Sequence, residues 1–203
     1  MGRVEVGNDL AFDEEAHRYL LKNRPIPGLT SVLTLTGFVD KTWFTEEGRD
    51  RGTRVHAACQ YLAEDELDWA TVGEDILPRV KAFERFLEEY KPTLLGAEWL
   101  MASRVYGFGC RHDFLFDVPA LGGPGIYEVK TGAAGLAAKL QTAGQKVALE
   151  ENFGFKNLKR FGFELNREGK ARLIPHTDSA DRPMILNAVA MVNRRINEDG
   201  LKI

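Results

Sequence analysis

Hydrophobic positions along this chain fall into two rhythms, and their order outlines the fold. Val4 to Val6 and Leu10 to Phe12 alternate as short strands, with Gly7-Asn8-Asp9 as the turn between them. His17 to Leu20 reads as a third strand, followed by a turn through Asn23-Arg24-Pro25. A loop from Pro27 leads into a short helix, Ser31 to Leu35, with Thr30 as its cap. Thr45 to Ala63 carries Val55, Cys59 and Leu62 on one helical face, with Gly52 as an interruption. Ile76 to Tyr90 has the clearest helical spacing, through Val80, Phe83, Phe86, Leu87 and Tyr90, and Lys91-Pro92 ends it. From Leu94 to Lys130 the rhythm changes to strands separated by glycines. Leu136 to Glu150 reads as a helix. Phe153 to Leu165 and Ala171 to Pro175 read as a hairpin turned at Arg167-Glu168-Gly169, and Asp181 to Glu198 as a closing helix. This order predicts an α/β fold with a helical N-terminal layer.

Composition narrows the class. The chain has 203 residues, 44% hydrophobic and 28% charged, as in an ordinary globular protein. That length predicts a single domain spanning 1–203, with an N-terminal hairpin and helical part (1–92) and a core with its C-terminal hairpin and helix (93–203). The net charge of -3 excludes a global field for nucleic acid, so any such contact needs a local basic patch. The two cysteines, Cys59 and Cys110, form no disulfide or metal pattern and cannot supply the four thiolates of an iron–sulfur cluster. The polar start, Met1-Gly2-Arg3-Val4-Glu5, lacks the apolar core of a signal peptide, and no stretch is long and apolar enough for a membrane. A cytoplasmic setting is expected.

The densest chemistry lies in Ile126-Tyr127-Glu128-Val129-Lys130-Thr131-Gly132. On a strand, Glu128 and Lys130 share one face and Val129 turns to the other. Asp113, in Arg111-His112-Asp113-Phe114, is expected on a neighbouring strand-like segment. Two carboxylates and an ammonium together suit a hard divalent cation and a phosphodiester. Asp113 and Glu128 would be oxygen ligands, with the Val129 carbonyl as a third. Lys130 would orient or deprotonate water, or stabilise charge on the phosphate. His112 should face away from Asp113. Asp117, just before Val118-Pro119, reads as turn chemistry.

Taken whole, the chain resembles the PD-(D/E)xK nuclease superfamily, and within it the RecB-like branch of phage and recombination exonucleases. The resemblance runs from Phe12-Asp13-Glu14-Glu15-Ala16-His17-Arg18-Tyr19 and Ile26-Pro27-Gly28-Leu29-Thr30-Ser31 through Arg51-Gly52-Thr53-Arg54-Val55-His56, similar to a helical Gly-x-x-x-His motif. It continues in Gly96-Ala97-Glu98, in Gly109-Cys110-Arg111-His112-Asp113, in Glu128-Val129-Lys130-Thr131-Gly132, and in Gln141-Thr142-Ala143-Gly144-Gln145, which resembles a Gln-x-x-x-Tyr helix. It implies a restriction-endonuclease-like core, a mixed central sheet flanked by helices, and cleavage of DNA with Mg2+ or Mn2+. It further implies His56, Asp113 and Glu128 as metal ligands, Lys130 as the catalytic lysine, Gln141 as an active-site residue and Glu98 as a further acidic member. Gln145 stands where tyrosine is usual, and the cysteines of the iron–sulfur members are absent.

Basic and aromatic residues interleave from Asn152 to Phe163, where Lys156, Lys159 and Arg160 are candidate phosphate contacts and the phenylalanines read as core. Arg49, Arg51 and Arg54 beside His56 form a second candidate patch. The expected partner is DNA, with phage recombination or replication proteins and a homo-oligomer as further partners the resemblance allows, in the host cytoplasm for a phage gene. The rival readings are a catalytically inactive relative that binds DNA or protein, and an assembly protein with a coincidental Glu-x-Lys.

Overall fold

A computed structural model describes residues 3–6, 9–39 and 45–203. The chain opens with an antiparallel sheet of strands in sequence order, β1 (Arg3–Val6), β2 (Leu10–Asp13), β3 (Arg18–Leu21) and β4 (Arg24–Ile26). The predicted turn at Gly7-Asn8-Asp9 lies partly outside the described residues. The turn predicted at Asn23-Arg24-Pro25 sits earlier. Lys22 and Asn23 both take positive φ, 50° and 62°, which matches the twist of a two-residue hairpin. Arg24 and Pro25 then form the edge strand β4, where a residue without an amide proton is tolerated.

Three helices follow: α1 (Leu29–Leu35), α2 (Glu46–Ala63) and α3 (Leu77–Tyr90). α1 starts earlier than predicted, because Gly28 holds the extended N-cap conformation and Thr30 lies inside the helix. Thr45 caps α2 by accepting a hydrogen bond from the Gly48 amide at 3.0 Å, and the helix passes through Gly52 unbroken. α3 ends where Lys91 turns left-handed.

The central sheet combines β5 (Thr93–Ala97), β8 (Phe114–Val118), β9 (Gly123–Lys130), β10 (Lys159–Leu165) and β11 (Ala171–Pro175), in the order β11-β10-β9-β8-β5. Asp117 lies within β8, opposite Thr93 and Pro124, rather than in a turn. The helix α4 (Leu136–Phe153) carries the chain from β9 to its parallel neighbour β10, whereas the other pairs are antiparallel. The fold is therefore mixed α/β, a five-stranded sheet flanked by helices. α4 runs to Phe153 and stops at a left-handed Gly154, so β10 begins at Lys159 and not at the predicted Phe153. Strands β6 (Leu100–Ser103) and β7 (Phe108–Arg111) form a separate hairpin, and α5 (Asp181–Asp199) closes the chain.

Apolar side chains pack on both faces of the sheet. Leu115, Ile126, Leu140, Val147 and Ile185 form one cluster with α1, α4 and α5. Phe83, Phe86, Phe114, Tyr127, Val129 and Phe163 form the other with α2 and α3. The alternation of β9 thus buries Ile126 on the α4 side and Tyr127 and Val129 on the α3 side. A third cluster, with Leu10, Phe12 and Tyr19, seats the N-terminal sheet on Ala102 of β6. Among the described residues, no helix is long and apolar enough to cross a membrane.

Candidate functional site

Glu128 and Lys130 lie at the C-terminal end of β9, the middle strand of the central sheet, and extend toward α4. Their side chains meet: Lys130 Nζ donates to Glu128 Oε1 at 2.8 Å and to Gln141 Oε1, on α4, at 3.3 Å. The other Glu128 oxygen accepts from Gln145 Nε2 at 2.7 Å. Gln145 is fully buried and also donates to the Arg111 carbonyl at 2.9 Å, so it ties α4 to the end of β7. Gln141 and Gln145 are one helical turn apart, which brings both to the same face.

Asp113 lies in the bend between β7 and β8, not on a strand as predicted. Pairing of β8 with β9 starts only at Phe114 and Tyr127. Past that point the Asp113 carboxylate takes the role of a strand partner, and its Oδ2 accepts the Val129 amide at 2.7 Å. Val129 thus meets Asp113 through its N–H, while its side chain lies in the core. His56, on α2, places Nδ1 3.3 Å from Asp113 Oδ1. Glu98 follows β5 with a left-handed φ of 53°, and its amide donates to the Asp113 carbonyl at 3.0 Å. That bend turns the Glu98 carboxylate inward. His56, Glu98 and Asp113 each offer one ligand atom, all within 4.8 Å of one another. Glu128 lies outside this group of three, held by Lys130 and Gln145.

These groups line a cleft of about 640 Å³, opened by α2 on one wall and by the N-terminal sheet on another. Phe12, His17 and Tyr19 form the latter wall, and Arg111 lies over the Phe12 ring at 5.5 Å while its Nη1 reaches Glu98 Oε2 at 3.3 Å. His112, buried on the far side against Trp99, stays out of the cleft.

Electrostatics within the cleft are tightly linked. Burial opposes charge on His56, but Asp113 beside it outweighs that and lifts its pKa to about 9. Burial and the Asp113 charge raise Glu98 to about 7, against the pull of Arg111 and His56. Asp113 is itself held below the usual carboxylate range: burial works against this, but His56, Lys130 and the Val129 amide prevail. Burial and Asp113 push Glu128 up, whereas Lys130 is raised because Glu128 and Asp113 overcome its burial. One imidazole nitrogen and two carboxylates at this spacing suit a divalent cation.

The basic candidates are scattered. Arg51 sits on α2 next to Gly52, which lines the cleft. Arg54 is engaged by Asp50 at 2.8 Å and by both oxygens of Asp75 at 2.9 and 2.7 Å. Arg49 and Lys156 are exposed. Lys159 and Arg160 line a separate cleft, and Arg160 is committed to Asp181 at 2.9 Å and to the Lys139 carbonyl at 2.9 Å. Arg111 and Gln145 also belong to the cleft's hydrogen-bond network, without a role expected from the sequence. The helical spacing from Gln141 was the available signal for Gln145, whereas nothing local marks Arg111.

No protein-family model matches the chain, and no curated protein does. Among solved structures it is similar to a Eubacterium rectale protein assigned as an exonuclease, at 12% identity and a TM-score of 0.49, covering 88% of this chain and 77% of that one. It is also similar to LHK-Exo in complex with dAMP, at 17% identity and a TM-score of 0.46, covering 86% of this chain and 89% of that one.

Proposed function

We propose that this chain is a divalent-metal-dependent deoxyribonuclease, an exonuclease that hydrolyses phosphodiester bonds at DNA ends. The observation that carries the reading is the convergence of His56, Glu98 and Asp113 beside the Glu128–Lys130 pair in one open cleft. These residues come from α2, the β5–β6 bend, the β7–β8 bend and β9, and a merely solvated strand end would not need them together. The motif order in the sequence points the same way, and its N-terminal part points to DNA processing in phage or recombination systems.

Asp113, Glu98 and His56 would hold the ion, with Glu128 next to them. When bound, the ion supplies charge neutralisation at the phosphate and acidifies water. The imidazole in the set favours Mn2+ over Mg2+, which prefers oxygen ligands and retains its water. Glu128 and Gln141 hold the Lys130 ammonium at the ligand cluster, where it orients the attacking water or balances charge building on the phosphate. Gln145 holds Glu128, and Arg111 restrains Glu98. Phe12, His17 and Tyr19 shield one side of the cleft from bulk water.

A fluorogenic DNA assay with Mg2+ or Mn2+ tests this reading. Wild type is expected to cut with at least one ion and to stop on chelation, and Lys130→Ala should lower the rate at least roughly a hundredfold, the scale of losing one proton-transfer or charge-stabilising group. Failure to cut any DNA form with either ion, or a Lys130→Ala variant that cuts like wild type, defeats it. Metal-dependent DNA binding without cleavage would favour the inactive binding module.

A further inference from the structure

Arg111 reaches into the cleft with most of its hydrogen-bonding capacity unused. Its backbone is fixed at the end of β7, where its carbonyl accepts from Gln145 at 2.9 Å. Its guanidinium lies over the Phe12 ring, 5.5 Å from the centroid, and the side chain stays 40% exposed. A guanidinium has five N–H donors. Its single side-chain hydrogen bond among the described residues runs from Nη1 to Glu98 Oε2, at 3.3 Å. That is long for a bond between charged groups, which settles at about 2.7–2.9 Å. Of the described residues that line the cleft, Arg111 and Lys130 are the arginine and the lysine. Lys130 is already held by Glu128 at 2.8 Å and by Gln141 at 3.3 Å, so the free donors are on Arg111.

Glu98 faces two ways. Its carboxylate meets Arg111, and it also offers an oxygen to the group formed with His56 and Asp113, whose ligand atoms all lie within 4.8 Å of one another. One negative charge cannot serve both neighbours at full strength. Glu98 favours a divalent ion, which carries twice the charge of a guanidinium and touches the oxygen directly. Arg111 then loses its partner and faces a like charge. An ion pair this exposed is weak to begin with, so little opposes the separation. The Phe12 ring keeps the guanidinium plane in the cleft, because stacking on an aromatic face leaves the edge donors free. That edge then needs an anion with two acceptor oxygens, and a phosphodiester supplies them.

We propose that Arg111 is the phosphate-gripping residue of this cleft, and that Glu98 withholds it until a divalent cation takes Glu98 as a ligand. The grip is bidentate, on a phosphate of the bound strand beside the ion. Without the ion, Glu98 neutralises the cleft's best anion donor; with it, that donor turns to the strand. Metal binding and strand binding are thereby coupled, each strengthening the other. The choice of a nucleic-acid strand rests on the nuclease reading of the same cleft.

Two binding measurements test this apart from any cleavage. Mn2+ affinity is measured by calorimetry without DNA. Strand affinity is measured by fluorescence anisotropy across a salt series, with Mn2+ and with EDTA, on a DNA oligonucleotide whose charged phosphonate linkages resist hydrolysis. Arg111→Ala should tighten Mn2+ binding about two- to fivefold, because Glu98 is released from an exposed ion pair. With Mn2+ present the same variant should bind the strand roughly tenfold more weakly, with a salt dependence lower by about one phosphate's worth, and in EDTA it should lie much closer to wild type. Arg111→Lys should keep the salt dependence and recover only part of the affinity, since a point charge lacks the planar fork. A residue that merely supports the fold would instead lower the Tm and weaken strand binding equally with and without Mn2+. That equal loss, unchanged strand affinity with Mn2+, or Mn2+ binding by Arg111→Ala that is unchanged or weaker each overturns the proposal. Wild-type protein that binds no Mn2+ or no strand overturns it too. If Arg111 behaves as described but no DNA is cut with either ion, the nuclease reading falls and this one stands. If DNA is cut and Arg111→Ala binds like wild type, the reverse holds.

Discussion

Proton and metal would compete for the same atoms at the mouth of β9. His56 carries its proton up to a pKa of about 9, because Asp113 beside it outweighs burial, and Glu98 carries one up to about 7, because of burial first and the Asp113 charge second. Both values lie above those of the unfolded chain, so each protonated group stabilises the metal-free fold at low pH. The Glu98 contribution fades between about 4.5 and 7, and the His56 contribution between about 6.5 and 9. The metal-free protein should therefore lose thermal stability through this group as pH rises from 5 to 9. A cation displaces both protons, so Mn2+ affinity should climb over the same interval. Calorimetric Mn2+ titrations at pH 6, 7 and 8 check this, and an affinity that is flat or falls with pH contradicts it. At this scale the facing of Glu128 and Lys130 is legible from strand alternation alone. The inward turn of Glu98 is not, because it depends on a left-handed backbone that no neighbouring glycine announces. Gln145 stands where the resemblance leads one to expect a tyrosine, and what it binds, Glu128 and the Arg111 carbonyl, becomes visible only once α4 has been laid against β9.

The elements that bear the site are held by close backbone approaches. Gly109 of β7 accepts the Tyr19 ring so tightly that a Cβ there would come within 2.1 Å of it, and its amide donates to the Pro27 carbonyl at 2.9 Å. This seat fixes the N-terminal sheet as a wall of the cleft. Gly109→Ala should destabilise the protein by about 1–3 kcal/mol through overpacking. It should also loosen the Phe12–Tyr19 wall, read as a lower urea midpoint with an unchanged slope and a higher KM for DNA. A variant that melts and binds like wild type would show that the wall is not seated there. Element order is largely legible in the sequence, since the helical spacing of α3 and the strand alternation around β9 each bury one coherent face. The misplaced boundaries have local causes. Phe153, Phe155, Phe161 and Phe163 satisfy both rhythms, and only the left-handed Gly154 separates helix from strand. At α1 an extended Gly28 takes the cap position, where threonine chemistry pointed to Thr30.

Across the whole molecule, two apolar clusters clamp the sheet from opposite sides and set the distance between α2, which carries His56, and the β7–β8 bend, which carries Asp113. These residues are 57 apart in sequence but 3.3 Å apart in space, so the cleft exists only in the folded chain. On the proposed function, a net charge of -3 would leave the recognition of a polyanion to a bound cation and to local basic side chains. The cluster of His56, Glu98 and Asp113 is the point on which the proposed cutting, pH response and metal preference all converge. Anomalous diffraction from a manganese-soaked crystal tests it most directly. A peak coordinated by the imidazole of His56 and the carboxylates of Glu98 and Asp113, lost in Asp113→Asn, is the predicted result; a well-ordered crystal with manganese bound elsewhere, or not at all, contradicts it.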